Sequence, residues 1–533
     1  MSQKRNYINQ LPDEVLCKVF DYLELESVKN ASCTCRRWNE IIFSNPYVDR
    51  FILSVCIKDL NVYPEPVISP EEIQHAIVNT TLTYPEMLQK KRKQIRRNFS
   101  FGQTRDKREI VLKQLVKTIT KTKRHYRNLS WDVDEFMYRN FRRVWQAIHP
   151  KFTKHLVLFQ ISFIDTSLLF VYETLAKAIP LMSKLKDLLL LEECEERYEQ
   201  DHTLMFRSQT VETLSLDFGY TSSIEMPKLL YYEGALSTLH QPTKAAESHV
   251  FKRMKHLTVT QKGGTSTDPS VFLRMPNLET ATWNFRLGHS VFIAMCEACT
   301  FLEELCFSKQ LYIQHIDALQ HLYKLEDLYR LEFYDIELDD DRDFMRFGLD
   351  FDFSKMINLT ELDLGKMFVA DSTLERLPNT ITKLGLCVHS TNERRQIEII
   401  TRNLTQLTEL RFGYKMERAA PSPEVLKSLS LLEHLEELEF CRCRFTKRTF
   451  FEMDAPLHRL DTLRFKECQL ETKQLLGLQQ KFPSLDEPEF EDCAINTNPA
   501  MFYDSLSDGS LSEMEAIDSS SPYRGYESDS SDF

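Results

Sequence analysis

Residues 435–445 read Leu435-Glu-Glu-Leu438-Glu-Phe440-Cys-Arg-Cys443-Arg-Phe445, and the pattern returns as Leu460-x-x-Leu463-x-Phe465-x-x-Cys468-x-Leu470 and as Leu485-x-x-Pro488-x-Phe490-x-x-Cys493-x-Ile495. The interval is 25 residues each time. Within each copy the apolar residues alternate with polar ones, the period of a short strand with one buried face. A strand of that length cannot bury its apolar face alone, so a fixed period implies units that stack into one continuous core.

Shorter matches precede these three: Leu407/Leu410/Phe412, Ile381/Leu384/Leu386, Leu359/Leu362/Leu364, Leu328/Leu331/Phe333, Leu302/Leu305/Phe307, Leu278/Ala281/Trp283, Met254/Leu257/Val259, Val211/Leu214/Leu216 and Leu185/Leu188/Leu190. A gap of 43 residues between Val211 and Met254 leaves room for a degenerate unit near Leu229-Leu230-Tyr231-Tyr232. Leu156-Val157-Leu158 is expected to open and cap the array. Between strands, Ser422-Pro423-Glu424 reads as an N-cap, a first-position proline and an acidic first turn, and Thr472 precedes a similar apolar run. This resembles the leucine-rich-repeat signature, with cysteine in the slot that otherwise carries asparagine. Cysteine there is small, apolar and a weak donor to the turn's backbone. The expectation is an α/β fold, a curved solenoid (horseshoe) of about 12–14 repeats over residues 151–495.

In such a repeat the positions between the leucines face the concave side. They include Arg330, Glu332, Tyr334, Glu361, Asp363, Glu409, Arg411, Glu437, Glu439, Thr462, Arg464 and Lys466, and in the N-terminal half the neutral Thr213, Ser215, His256, Thr258, Thr280 and Thr282. We take Arg330, Glu332, Tyr334, Glu361, Asp363, Arg411, Glu439, Arg464 and Lys466 as the candidate substrate-binding set. For any one of them a solvated strand face is the plainer alternative.

Near the N-terminus stands Leu11-Pro12-Asp13-Glu14-Val15-Leu16, continuing to Val19, Phe20 and Leu23, then Cys35-Arg36-Arg37-Trp38. Pro12 suits a first helical position, and Asp13 and Glu14 sit where the helix dipole favours anions. Val15, Leu16, Val19, Phe20 and Leu23 read as one apolar helical face, followed by Val28, Ala31, Ile41, Ile42 and Phe43. About forty residues is near the limit for folding alone. The stretch (residues 6–50) resembles an F-box, and that resemblance implies a short helical module in which Leu11, Pro12, Leu16, Val19, Phe20, Val28 and Trp38 form or support the surface that binds the Skp adaptor.

The net charge of −12 is unevenly spread. Residues 88–127 hold 15 Lys/Arg against two acids, within a stretch (51–150) expected to link the F-box to the repeats. From residue 494 onward there are eight acids and one arginine, and residues 496–533, rich in serine, are expected to be a disordered acidic tail. The basic insert is read as a solvated loop around a short element at residues 110–119, with nuclear import or phosphate binding as alternatives. No apolar run approaches the length of about eighteen residues that spans a membrane, and the start lacks an apolar signal core. Thirteen cysteines without such a signal suit reduced thiols, cytoplasmic or nuclear. Cys296-x-x-Cys299 has no second pair at zinc spacing, so no metal and no cofactor is expected.

The combination resembles the F-box/leucine-rich-repeat family. It implies a non-catalytic specificity subunit of an SCF-type (cullin–RING) ubiquitin ligase: the module holds the Skp adaptor and cullin scaffold, and the horseshoe captures an unknown protein substrate. The alternative is an F-box/leucine-rich-repeat scaffold acting outside a ligase and associated with nucleic acid through the basic insert. Membrane and nucleic acid are not the partners the reading favours.

Overall fold

The computed structural model describes residues 11–44, 51–56, 101–122, 126–164, 169–192, 204–217, 222–239, 251–260, 268–338, 348–414, 419–445, 455–471 and 478–496. Lys90 to Arg97, the cluster at 123–125, Thr472 and the serine-rich tail lie outside them.

Sixteen strands form one open, parallel sheet in strict chain order, from Ile52–Val55 to Glu489–Glu491. Neighbouring strands pair in register, core position on core position: Leu331 on Leu362, Leu362 on Leu384, Leu384 on Leu410, Leu410 on Leu438, Leu438 on Leu463. The buried set is continuous from Val55 to Leu485, and leucines at these positions are almost wholly shielded. Aromatic residues at the next core position stack along the array, Phe440 on Phe465 at 5.9 Å and Phe465 on Phe490 at 5.5 Å between centroids. Phe490 belongs to the last strand and remains 39% exposed.

Residues 151–495 contribute fourteen of the strands, and the degenerate unit is the strand Tyr231–Gly234 with Tyr232 in the core slot. Leu158–Phe163, expected to open the array, is its third strand. Ile52–Val55 and Asn128–Val133 precede it, so part of the expected linker belongs to the sheet. Asn128–Val133 lacks the leucine spacing but has the alternation, with Leu129, Trp131 and Val133 fully buried. The basic insert is also corrected: residues 110–119 belong to a helix, Phe101–Lys121, that buries Leu112 and Ile119 against the first repeats.

The outer layer mixes α-helices such as His289–Ala298 and Glu393–Asn403 with 3₁₀ segments such as Pro269–Arg274 and Ile316–Lys324. The repeat intervals run from 22 to 31 residues, and the 3₁₀ segments close a return in few residues. Pro423–Leu429 starts as expected, with Ser422 Oγ accepting from the Val425 N–H at 3.4 Å.

The cysteine slot works as a turn device. Arg442, Glu467 and Asp492, each directly before a repeat cysteine, have φ of 56°, 52° and 51°. The thiols then donate back to the strand before: Cys468 Sγ to the Phe440 carbonyl at 3.1 Å and Cys493 Sγ to that of Phe465 at 3.0 Å.

Candidate functional site

Three helices make the N-terminal module: α1 (Asp13–Asp21), α2 (Leu25–Ser32) and α3 (Arg36–Ser44). Their core is Leu16, Phe20, Val28, Ala31, Ile41, Ile42 and Phe51. Pro12 is the N-cap, one position earlier than expected, and its carbonyl accepts from Val15 and Leu16 at 3.1 Å each. Arg37 ties α3 to the start of α1, donating to the Leu11 carbonyl at 2.5 Å and from Nε to Asp13 Oδ1 at 3.0 Å.

The expected single apolar face of α1 is split in two. Leu16 and Phe20 point into the module, whereas Val15 (40% exposed), Val19 (46%) and Tyr22 (91%) lie outside. Adjacent residues on a helix are about 100° apart, so the pairs Val15/Leu16 and Val19/Phe20 cannot share one direction. Of the residues the resemblance implies for adaptor binding, Leu16, Phe20 and Val28 are buried support, Pro12 and Val19 are exposed, and Leu11 and Trp38 are half-buried. Trp38 packs edge-on against Phe20 at 5.3 Å, and its Nε1 is buried without an acceptor among the described residues.

The module abuts the repeats. Phe51 closes its core, and the first strand of the sheet starts at the next residue. Phe43 meets Tyr126 at 6.3 Å, and Tyr126 meets Phe152 at 5.9 Å, joining the two cores through aromatic rings.

On the inner sheet face a cavity of about 300 Å³ is lined by Arg330, Glu332, Glu361, Asp363, Lys383, Gly385, Glu409, Arg411, Glu437, Glu439 and Arg464 with leucine backbone between them. Seven of the nine candidate substrate-binding residues meet there. Tyr334 and Lys466 lie outside the lining: the Lys366 ammonium sits over the Tyr334 ring at 4.4 Å, and Lys466 pairs with Glu491 at 2.7 Å. The candidate set omits Lys383 and Gly385, although both occupy the outward slots around Leu384, where strand alternation alone would have placed them.

The charges form a ladder across strands. Arg330 reaches Glu332 at 2.6 Å, Glu361 at 3.5 Å and Glu304 at 3.6 Å. Lys383 lies between Glu409 at 2.7 Å and Glu361 at 3.4 Å. Arg464 holds Glu489 at 2.8 Å and Glu437 at 2.9 Å, and Arg411 pairs with Asp363. Burial opposes ionisation of Glu332, but hydrogen bonds from Arg330 and Cys306 outweigh it and hold its carboxyl below the usual range. At Asp363 burial wins over the pull of Arg411, and the carboxyl is pushed up. Burial and the neighbouring Glu332 push the Cys306 thiol up to about 12.

Elsewhere, Cys296 and Cys299 are fully buried, and burial pushes the Cys299 thiol up to about 12. Among the described residues no group of three or more His, Cys, Asp or Glu is placed to hold a metal ion, and no helix is long and apolar enough to cross a membrane. Lys113, Lys117 and Lys121 lie exposed at four-residue intervals on the helix Phe101–Lys121.

The F-box-like family model matches residues 8–52. No curated protein matches the chain. Among solved structures, an internalin (inlF) from Listeria monocytogenes is similar at 14% identity, covering 58% of this chain and 82% of its own, with a TM-score of 0.29. The Toll–Spatzle complex of Drosophila is similar at 15% identity over 69% of this chain and 51% of that one (TM-score 0.35). The mouse RP105/MD-1 complex is similar at 12% identity over 70% and 63% (TM-score 0.33). At those scores the repeat architecture is established by the sixteen in-register strands themselves. The chain thus carries an F-box-like domain at residues 8–52, followed by an array of stacked repeats with the leucine-rich-repeat architecture.

Proposed function

We propose that the protein is the substrate-recognition subunit of an SCF-type cullin–RING ubiquitin ligase, binding the Skp adaptor, and through it the cullin, by its F-box, and a protein substrate by the inner face of the repeats. The observation that carries the reading is the second, outward apolar face of α1: Val15, Val19 and Tyr22 at i, i+4 and i+7 on a module whose own core is already closed by Leu16 and Phe20. An exposed helical stripe of that kind on so small a module suits docking against a partner.

The chain acts without catalytic residues of its own. Holding a substrate lysine near a charged ubiquitin raises its effective concentration, which is the whole of the rate effect required of a receptor. The short joint at Phe51 suits that task, because a substrate held by the repeats keeps its position relative to the adaptor. We place this activity in the cytoplasm, the nucleus or both.

The test is capture of the adaptor and cullin by the intact chain and by a Val15→Asp/Val19→Asp variant. Capture by the intact chain, lost in a variant with unchanged thermal unfolding, supports the reading. If the intact chain captures neither, the ligase role is wrong and the repeats act as a scaffold in their own right.

A further inference from the structure

The inner-face cavity has an unequal charge account. Six carboxylates and four cations line it, and each of the four cations is already held by a carboxylate of this chain. Glu439 is the exception among the acids. At its slot it is flanked in register by Arg411 on one strand and Arg464 on the other. Both turn away, Arg411 to Asp363 and Arg464 to Glu437 and Glu489. Among the described residues Glu439 forms no ion pair, and its carboxylate accepts a hydrogen bond from the Cys441 thiol at 3.0 Å.

The floor of the cavity explains why space is left there. Gly385 lines the cavity, and both it and Gly413 on the next strand, outside the lining, occupy slots that elsewhere carry side chains facing the interior of the horseshoe. A Cβ at Gly385 would lie 2.7 Å from the Asp363 carboxylate, and one at Gly413 would lie 2.4 Å from the Cys441 carbonyl. At Gly385 the missing side chain leaves the room in which Arg411 pairs with Asp363 instead of reaching toward Glu439. The size of the cavity, about 300 Å³, is at the small end for ligand pockets and suits one or two side chains better than a cofactor.

Resting on the substrate-receptor reading above, we propose that this cavity admits an arginine or lysine side chain from a cationic segment of the substrate, with Glu439 as its counter-charge, and rejects a phosphorylated segment. A guest cation gains a charge-assisted bond to a carboxylate that has only a neutral donor. A phosphate would meet the surplus acids and could reach a cation only by breaking an existing pair, and that repulsion gives specificity. The raised carboxyl of Asp363, burdened by burial, is a further group that a nearby guest cation would relieve.

The full-length chain, bound to the adaptor, is titrated by fluorescence anisotropy with an arginine-rich peptide and with a phosphoserine-rich peptide of equal length. The arginine peptide binds and the phosphopeptide does not. Glu439→Gln weakens the arginine peptide by about tenfold, the scale of one charge-assisted contact. Glu375→Gln, on the outer helix Asp371–Glu375, leaves binding unchanged and excludes general attraction to an acidic body. Cys441→Ala removes the internal donor to Glu439 and strengthens binding, a change that misfolding could not produce. Tighter binding of the phosphopeptide, no binding of the arginine peptide, or equal binding by wild type and Glu439→Gln would overturn the proposal. Adaptor binding is recorded in the same samples, so a failure of the F-box reading is seen separately from a failure of the cavity.

Discussion

Arg411 pairs with Asp363 across an intervening strand, passing over Gly385, which lies in register between them. Strands in a sheet are about 4.8 Å apart, so the two backbones are separated by roughly 10 Å and the pair closes only because the middle position has no side chain. The Asp363 carboxylate is fixed from below by the Gly365 N–H at 2.8 Å, and Gly365 holds φ of 56° with its Cα facing the Phe333 carbonyl.

Gly385 and Gly413, on adjacent strands, should therefore respond differently. An added methyl at Gly385 meets a side chain that can swing away, at the loss of the Arg411 pair, for about 1 kcal/mol given its partial exposure. At Gly413 it meets the Cys441 backbone, which cannot move without disturbing the ladder, and Gly413→Ala costs about 2–3 kcal/mol. Denaturant unfolding of both variants tests the order; equal losses would contradict it.

Val19 and Phe20 are neighbours with opposite tasks. Val19→Asp leaves folding within about 0.5 kcal/mol, because the site is a solvated surface. Adaptor affinity falls by about tenfold or more if this face docks. Phe20→Ala removes the centre of the small core and costs about 3–5 kcal/mol. Melting curves beside adaptor titrations separate the two outcomes.

Acid should weaken the repeats partly through Glu332. Its folded value lies below the ordinary 4.5, so its contribution is present above that pH and is lost as pH falls through the folded value, the unfolded chain taking the proton first. Glu332→Gln should flatten the fall of the melting temperature on acidification. Asp363, shifted upward, opposes that trend by taking its proton more readily when folded, so Asp363→Asn should steepen it. Melting temperatures recorded from neutral pH down through the carboxylate range check both signs.

The repeat cysteines act through their donors. Cys468→Val, similar in volume, removes the thiol's hydrogen bond to the Phe440 carbonyl and costs about 1 kcal/mol. Cys468→Asn restores a donor from the residue type that otherwise fills this slot, and should be the milder change. Chemical denaturation of the pair decides the ranking, and a more stable valine variant would refute the role given to the thiol.

Much of this molecule was legible in local spacing. The 25-residue recurrence of leucine, phenylalanine and cysteine identified the stacked units down to the cysteine turn, and the tyrosines near residue 231 marked a degenerate unit that the sheet contains. The strand Asn128–Val133 escaped notice because its core positions are Leu129, Trp131 and Val133, a period-two pattern without the leucine template. The helix Phe101–Lys121 was obscured by its lysines and arginines, which dominate composition although Leu112 and Ile119 decide its packing.

By itself the sequence determined which residues face inward along each strand, because a period of two assigns faces without reference to any neighbour. Only the tertiary structure decided the rest. Register across strands brought Asp363, Gly385 and Arg411 into one row, turned both flanking arginines away from Glu439, and set Val19 outside a core that Phe20 completes. The physical reason is that ion pairing and exposure depend on distances between residues some 20 to 50 positions apart in the chain, and those distances exist only once the units have stacked.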